Sequence, residues 1–183
     1  MVQERLLILL ALLASVLAFA LAPSGVRAQV HDHEVVGSTC HAASGAETEF
    51  REMVARDTWN CTSSDWVADQ PVAWLRFDAS AWSSDALPKF FFTRIARFEA
   101  IGIAAVDGDG TMRFARFTED QAEAFPAGPI FRLELPEVSE NTTAILVRIE
   151  RPHSVPILTE ARLGFHPEDA SWSQLDMMLL ALV

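Results

Sequence analysis

Between about residues 70 and 165, apolar and polar positions alternate with a period of two. Ala73, Leu75 and Phe77 alternate with Trp74, Arg76 and Asp78, and Phe131, Leu133 and Leu135 with Arg132 and Glu134. Ile145, Val147 and Ile149 alternate with Arg148 and Glu150. Val155, Ile157, Thr159, Ala161, Leu163 and Phe165 fall on one face, opposite Glu160 and Arg162. Successive side chains of a strand point to opposite faces, so this pattern predicts half-buried antiparallel strands. The run Phe98 to Val106 meets Asp107-Gly108-Asp109-Gly110, and Thr111 to Phe117 follows. Glycines there supply positive φ for a tight reversal, which predicts a β-hairpin. Turn signals separate the other strands at Ser83-Ser84-Asp85, Pro126 to Pro129, Pro136 to Asn141 and Arg151-Pro152. Helical spacing is weak, at Thr48 to Asp57 and at Thr118 to Phe125. Short strands punctuated in this way predict an all-β fold, an antiparallel β-sandwich or jelly roll, over residues 70–166.

Both ends depart from the pattern. Arg5 precedes the uncharged run Leu6 to Ala22, which Pro23-Ser24-Gly25 ends, and Val26-Arg27-Ala28 follows. A charged start, an apolar run and a small-residue site predict an export signal peptide over residues 1–28, with Ala28 as the last residue removed. At the other end, Met177 to Val183 is wholly apolar. A spanning helix takes about 20 residues, so this run is read as the start of a transmembrane helix; a last strand or docked helix is the alternative. The organisation expected is a signal peptide (1–28), a polar N-terminal segment (29–69), the β-sandwich (70–166), a juxtamembrane linker (167–176) and the helix start (177–183).

Composition narrows the function classes. The net charge is −11, and removing Arg5, Arg27 and Glu4 with the signal leaves 12 basic and 24 acidic residues. The acidity therefore belongs to the folded part. It argues against nucleic-acid binding, which needs clustered Lys and Arg to neutralise phosphates, and against docking on anionic lipid heads. Twelve Phe and five Trp oppose disorder. Tyrosine is absent, so none acts as acid or base.

Candidate chemistry is sparse. Cys40 and Cys61 are the only cysteines, and an exported chain with an even count invites a disulfide. His31-Asp32-His33 with His41 could hold Zn²⁺ or Cu²⁺ only if other ligands joined them. Asp107-Gly108-Asp109-Gly110 resembles part of a calcium loop, but strands flank it, so it reads as a turn. No Gly-x-Ser-x-Gly elbow, phosphate loop or dinucleotide fingerprint occurs. No catalytic residue, metal site or cofactor is therefore assigned. Trp66, Trp74 and Trp82 interleave with Arg76. Aromatics beside a cation on an outward strand face suit a sugar ring or an organic anion, so these four are the candidate ligand-binding residues; for any one Trp, packing in the core or over its ends is the competing reading. Trp74 and Arg76 are expected on the face opposite Leu75.

Val72-Ala73-Trp74-Leu75-Arg76-Phe77 resembles the opening strand of the type 2 extracellular domain of the DISM receptors, which join seven transmembrane helices to diverse intracellular signalling modules. Phe98 to Val106 with its Asp-Gly turn, Phe131 to Leu135, Thr143 to Ile149 and Val155 to Phe165 are similar to the strands that follow in that family. Pro167 to Asp176 corresponds to the stretch leading into the first membrane helix. The resemblance covers about 70–183; the cysteine segment 40–61 has no counterpart in it. It implies a carbohydrate-binding-like sensor domain on the periplasmic side of a bacterial inner membrane, taking a small-molecule ligand such as a carbohydrate or organic acid. The membrane would be its partner through the C-terminal helix, and a diguanylate cyclase or histidine kinase its output. A secreted carbohydrate-binding or adhesion module is the alternative function, with an exported hydrolase ranked last. The sequence leaves open whether the domain forms a homodimer.

Overall fold

The structure is a computed structural model that describes residues 36–37, 40–61, 70–83, 86–94, 97–124, 130–153 and 161–170. The expected signal peptide, the His31-Asp32-His33 cluster, Trp66, most of the last predicted strand and the expected helix start lie outside these residues. All those described fall within one unit of the chain, His33–Val183.

Among the described residues, ten strands and one short α-helix are formed. They are β1 (Val36–Gly37), β2 (Cys40–Ser44), α1 (Phe50–Val54), β3 (Val72–Asp78), β4 (Phe90–Arg94), β5 (Ala100–Asp107), β6 (Met112–Thr118), β7 (Glu123–Ala124), β8 (Ile130–Glu134), β9 (Thr142–Glu150) and β10 (Arg162–Gly164). Two five-stranded sheets result, in the orders β1-β10-β4-β8-β7 and β2-β3-β9-β5-β6. Every pairing between these strands is antiparallel. The fold is an all-β sandwich, as the period-two pattern predicts.

The alternation decides which residues lie between the sheets. Ala73, Leu75 and Phe77 of β3, Ile101 and Ile103 of β5, and Ile145, Val147 and Ile149 of β9 come from one sheet. They meet Phe91 of β4, Phe131 and Leu133 of β8, and Leu163 of β10 from the other. Phe77 and Phe91 pack edge to face across the layer at 6.1 Å, and Phe98 and Phe131 at 5.2 Å. Non-sandwich ring geometry of this kind suits the aromatic quadrupole.

The hairpin expected around residues 107–110 joins β5 to β6. Gly110 takes φ +86°, a conformation that a side chain would strain. Asp109 Oδ1 accepts from the Thr111 N–H at 2.8 Å, closing the turn. The helix expected from Thr118 to Phe125 is corrected by the structure. Gln121 and Ala122 N–H donate to the Thr118 carbonyl, making a single turn. The chain then extends because Glu123 and Ala124 pair with Arg132 and Phe131. Tertiary pairing overrides a weak local preference.

The polar segment before residue 70 is part of the sandwich. Over five residues β2 pairs with β3, from Cys40↔Arg76 to Ser44↔Val72. Cys40 and Cys61 are joined by a disulfide with Cα atoms 4.1 Å apart. Between them, α1 is shorter than the helix expected over Thr48 to Asp57, and it lies over the outer face of the sheet containing β3. Met53 is 1% exposed there, beside Val72, Trp74, Ala104, Val106 and Leu146. The centre of that sheet, at β3, β9 and β5, is consequently buried on both faces, which explains why β5 reads as an unbroken apolar run.

Candidate functional site

The small residues of β5 make room for the covering segment. Gly102 is on the outer face, where a Cβ would come 3.2 Å from the Phe50 ring. Phe50 thus lies close against the sheet, with its ring centroid 5.0 Å from Trp74 and 5.4 Å from Phe114, edge to face in both pairs. The three rings form a row that runs from a fully buried indole to a ring 57% exposed.

Arg148 stands beside this row on β9. Its guanidinium lies 5.8 Å from the Trp74 ring centroid. Nη2 donates to the Ala46 carbonyl at 2.6 Å, and Nη1 donates to Glu150. The arginine therefore links the strand to the loop before α1 and holds that loop over the sheet. Its buried Nε has no hydrogen-bond partner among the described residues. Between the loop and β6 opens a cleft of about 540 Å³, lined by Glu47, Glu49, Arg51, Met112, Phe114 and Arg148 among others. An aromatic face, two carboxylates and two guanidinium groups at one opening can stack a flat or ring-shaped ligand and exchange hydrogen bonds with its polar groups.

Of the four candidate binding residues, the three that are described, Trp74, Arg76 and Trp82, do not share one face. Trp74 and Arg76 share the outer face opposite Leu75, as expected, but the outward exposure expected of Trp74 is overturned: it is 0% exposed. Its Nε1 donates to Ser44 Oγ at 2.8 Å inside the second core, so the indole is satisfied by the protein itself. The cause is the disulfide-closed segment 40–61, which covers the face that Trp74 would otherwise show to solvent. Arg76 Nε donates to Asp78 at 2.7 Å, and its guanidinium stacks 5.9 Å from the Trp59 ring. Trp82, half-buried, packs against the core between the sheets and not on the Trp74 face. Trp66 lies outside the described residues.

Phe50, Phe114 and Arg148 were not singled out by sequence. Alternation gave no signal for Phe114, because each phase of β6 holds one Phe and one Arg, Phe114 with Arg116 and Phe117 with Arg113. Nothing local marked Phe50 or Arg148, whose roles depend on the loop crossing the sheet.

A second polar cluster closes the hairpin end of the sheet. Arg113 grips Asp107 through two contacts, at 2.5 and 2.7 Å, and reaches Thr142 Oγ1 at 3.0 Å. Arg113 beside it holds the Asp107 carboxyl below the ordinary carboxylate value, and Thr142 and Ser139 assist. Hydrogen bonding to Asp107 in turn pushes Arg113 up. Asp109 is lowered mainly by the Thr111 backbone N–H. The Asp-Gly-Asp-Gly carboxylates are thus engaged in fixing the turn. His41 exchanges two backbone bonds with Asn60, each 2.9 Å. Among the described residues no group of three or more His, Cys, Asp or Glu is placed to hold a metal ion, and no helix is long and apolar enough to cross a membrane. In comparisons with known proteins, the chain matches no family, no curated protein and no solved structure.

Proposed function

We propose that this domain is the extracytoplasmic ligand-sensing portion of a membrane signalling receptor, built on a jelly roll, with its ligand seated in the cleft beside Phe114 and Arg148. The cleft carries the reading: an exposed aromatic and polar groups of both signs converge at one opening. Strand orders β1-β10-β4-β8 and β3-β9-β5-β6 agree with two interlocked Greek keys, which supports the jelly roll. The likeness of residues 70–183 to the type 2 receptor domain supports the signalling role. The Cys40–Cys61 disulfide is compatible with an oxidising compartment. The ligand class is a small sugar or organic acid, and signalling would proceed by a shift between two populated arrangements of the domain.

A thermal-shift screen of neutral sugars and carboxylic acids on the purified chain tests the proposal. At least one compound is expected to raise the midpoint, and Phe114→Ala is expected to abolish that rise while leaving the unliganded midpoint nearly unchanged. A ligand whose effect survives Phe114→Ala would place binding elsewhere. Sequencing the gene past Val183 separates this reading from a secreted carbohydrate-binding module: further hydrophobic helices favour the receptor, and a stop codon favours the module.

A further inference from the structure

The sandwich has four sheet edges among the described strands. Those at β1 and β7 are two residues long. The β2 edge is met by Asn60. The fourth, β6, is seven residues long, carries no proline, and has no described strand beyond it. An edge of that length with open backbone groups is a template for another strand unless it is covered, bulged or charged.

The phase of the ladder shows which groups are open. Asp107 N–H donates to Thr111 O at 2.9 Å, and the β5–β6 register continues without a shift to Ala100↔Thr118. Alternate residues of an antiparallel strand bond to alternate sides. The backbone groups of Arg113, Ala115 and Phe117 therefore face β5, and those of Met112, Phe114 and Arg116 face outward. Thr118, in the outward phase, already has its N–H engaged by Gln121 Oε1 at 3.2 Å.

The sequence of this edge repeats Arg-Phe on either side of Ala115, Arg113-Phe114-Ala115-Arg116-Phe117, so an antiparallel copy turned about Ala115 sets each Phe against an Arg. We propose that β6 pairs antiparallel with β6 of a second copy of this chain about a two-fold axis through Ala115, joining two five-stranded sheets into one of ten. In this register the outward groups of Phe114 meet those of Arg116 of the second copy, so the hydrogen-bonding phases agree. Each phenyl ring also stands opposite a guanidinium, Phe114 facing Arg116 and Phe117 facing Arg113. Such cross-strand pairs are close enough to interact, and an arginine over an aromatic is attractive. A two-fold contact must be self-complementary in this way. The two arginines do not guard the edge by repulsion, because each has a carboxylate on its own chain: Arg113 with Asp107 at 2.5 Å and Arg116 with Glu150 at 3.4 Å. Pairing would also cover Phe114, the most exposed large apolar residue described, and bring Arg116 of the second copy to the mouth of the cleft. The inference does not depend on the cleft holding a ligand.

Sedimentation of the purified full chain, with two variants, tests it. The native chain is expected to be dimeric at about 100 μM, a concentration at which even a micromolar interface is filled. Phe114→Lys sets like charges opposite each other twice per interface and is expected to raise the dissociation constant about tenfold or more. Ala115→Cys adds the only free thiol, since Cys40 and Cys61 are joined. Residues opposed in a non-hydrogen-bonded pair lie about 4.5 Å apart between Cα atoms, within disulfide reach, so oxidation is expected to give a covalent dimer. A native chain that stays monomeric overturns the proposal. So does association that persists in Phe114→Lys, or an Ala115→Cys dimer that oxidation does not cross-link.

Discussion

Trp74→Ala separates a binding-face tryptophan from a core tryptophan. The indole is 0% exposed, donates to Ser44 Oγ at 2.8 Å, and meets Phe50 edge to face at 5.0 Å. Truncating a fully buried Trp or Phe to Ala costs about 3–5 kcal/mol, the transfer loss plus the cavity left behind. Within that, the hydrogen bond is worth about 1 kcal/mol and the aromatic contact about 0.5–1.5 kcal/mol. Domains are stable by about 5–15 kcal/mol, so the variant would be marginal, with a melting midpoint lower by about 10 °C. Phe114→Ala provides the contrast: in a single copy of the chain the ring is 57% exposed, and in dilute solution, where copies are apart, its loss should cost about 1 kcal/mol or less. Urea denaturation of the two variants followed by far-ultraviolet circular dichroism gives both numbers. If Trp74→Ala unfolds within about 0.5 kcal/mol of the native chain, or costs no more than Phe114→Ala, the second core under α1 is refuted.

Reducing the Cys40–Cys61 bond, which spans a sequence separation of 21, should lower stability by about 3 kcal/mol in the chain-entropy account; thermal scans with and without dithiothreitol check it. Asp107 sits below its ordinary carboxylate value when folded, so its contribution is present at neutral pH and is lost as pH falls through that lowered value. Asp107→Asn should therefore be less stable at neutral pH and flatter in acid, read from urea midpoints across pH. Gly102→Val would drive a branched side chain into Phe50, 3.2 Å from its first carbon, and should cost about 1–3 kcal/mol, whereas Gly45→Ala, in open space, should be tolerated; paired denaturation curves decide. Arg148→Met removes the link to Ala46, and hydrogen exchange should quicken over residues 45–49 while β9 keeps its protection.

Period-two alternation was enough to place the inward residues of β3, β8 and β9 and the β5–β6 hairpin, because a strand that buries one face must write that face into every second position. In sequence the unbroken apolar run of β5 reads only as one arm of that hairpin, and its cover on both sides comes to light in the structure. The same rule misassigned Trp74: it put the indole correctly on the face opposite Leu75 but could not say what lay above. Exposure of a face is set by what crosses it, and the segment that crosses here is distant in sequence and mostly polar. Phe50 and Met53, three apart in a five-residue helix, are too short a pattern to announce a cover. The Thr118 turn failed for a related reason, since strand pairing with β8 outweighed a weak helical preference.

The sequence by itself determined the fold class, the inward faces of β3, β8, β9 and β10, the sharp hairpin at Gly110 and the acidity of the folded part. These are local properties, fixed by side-chain alternation and by the few residues able to take a required φ. Only the tertiary structure decided that Trp74 is core, that Phe114 remains outside beside Arg148, and that β6 ends its sheet among the described strands. Those are relations between segments brought together by the disulfide and by the antiparallel ladder, and no single stretch of the chain contains them.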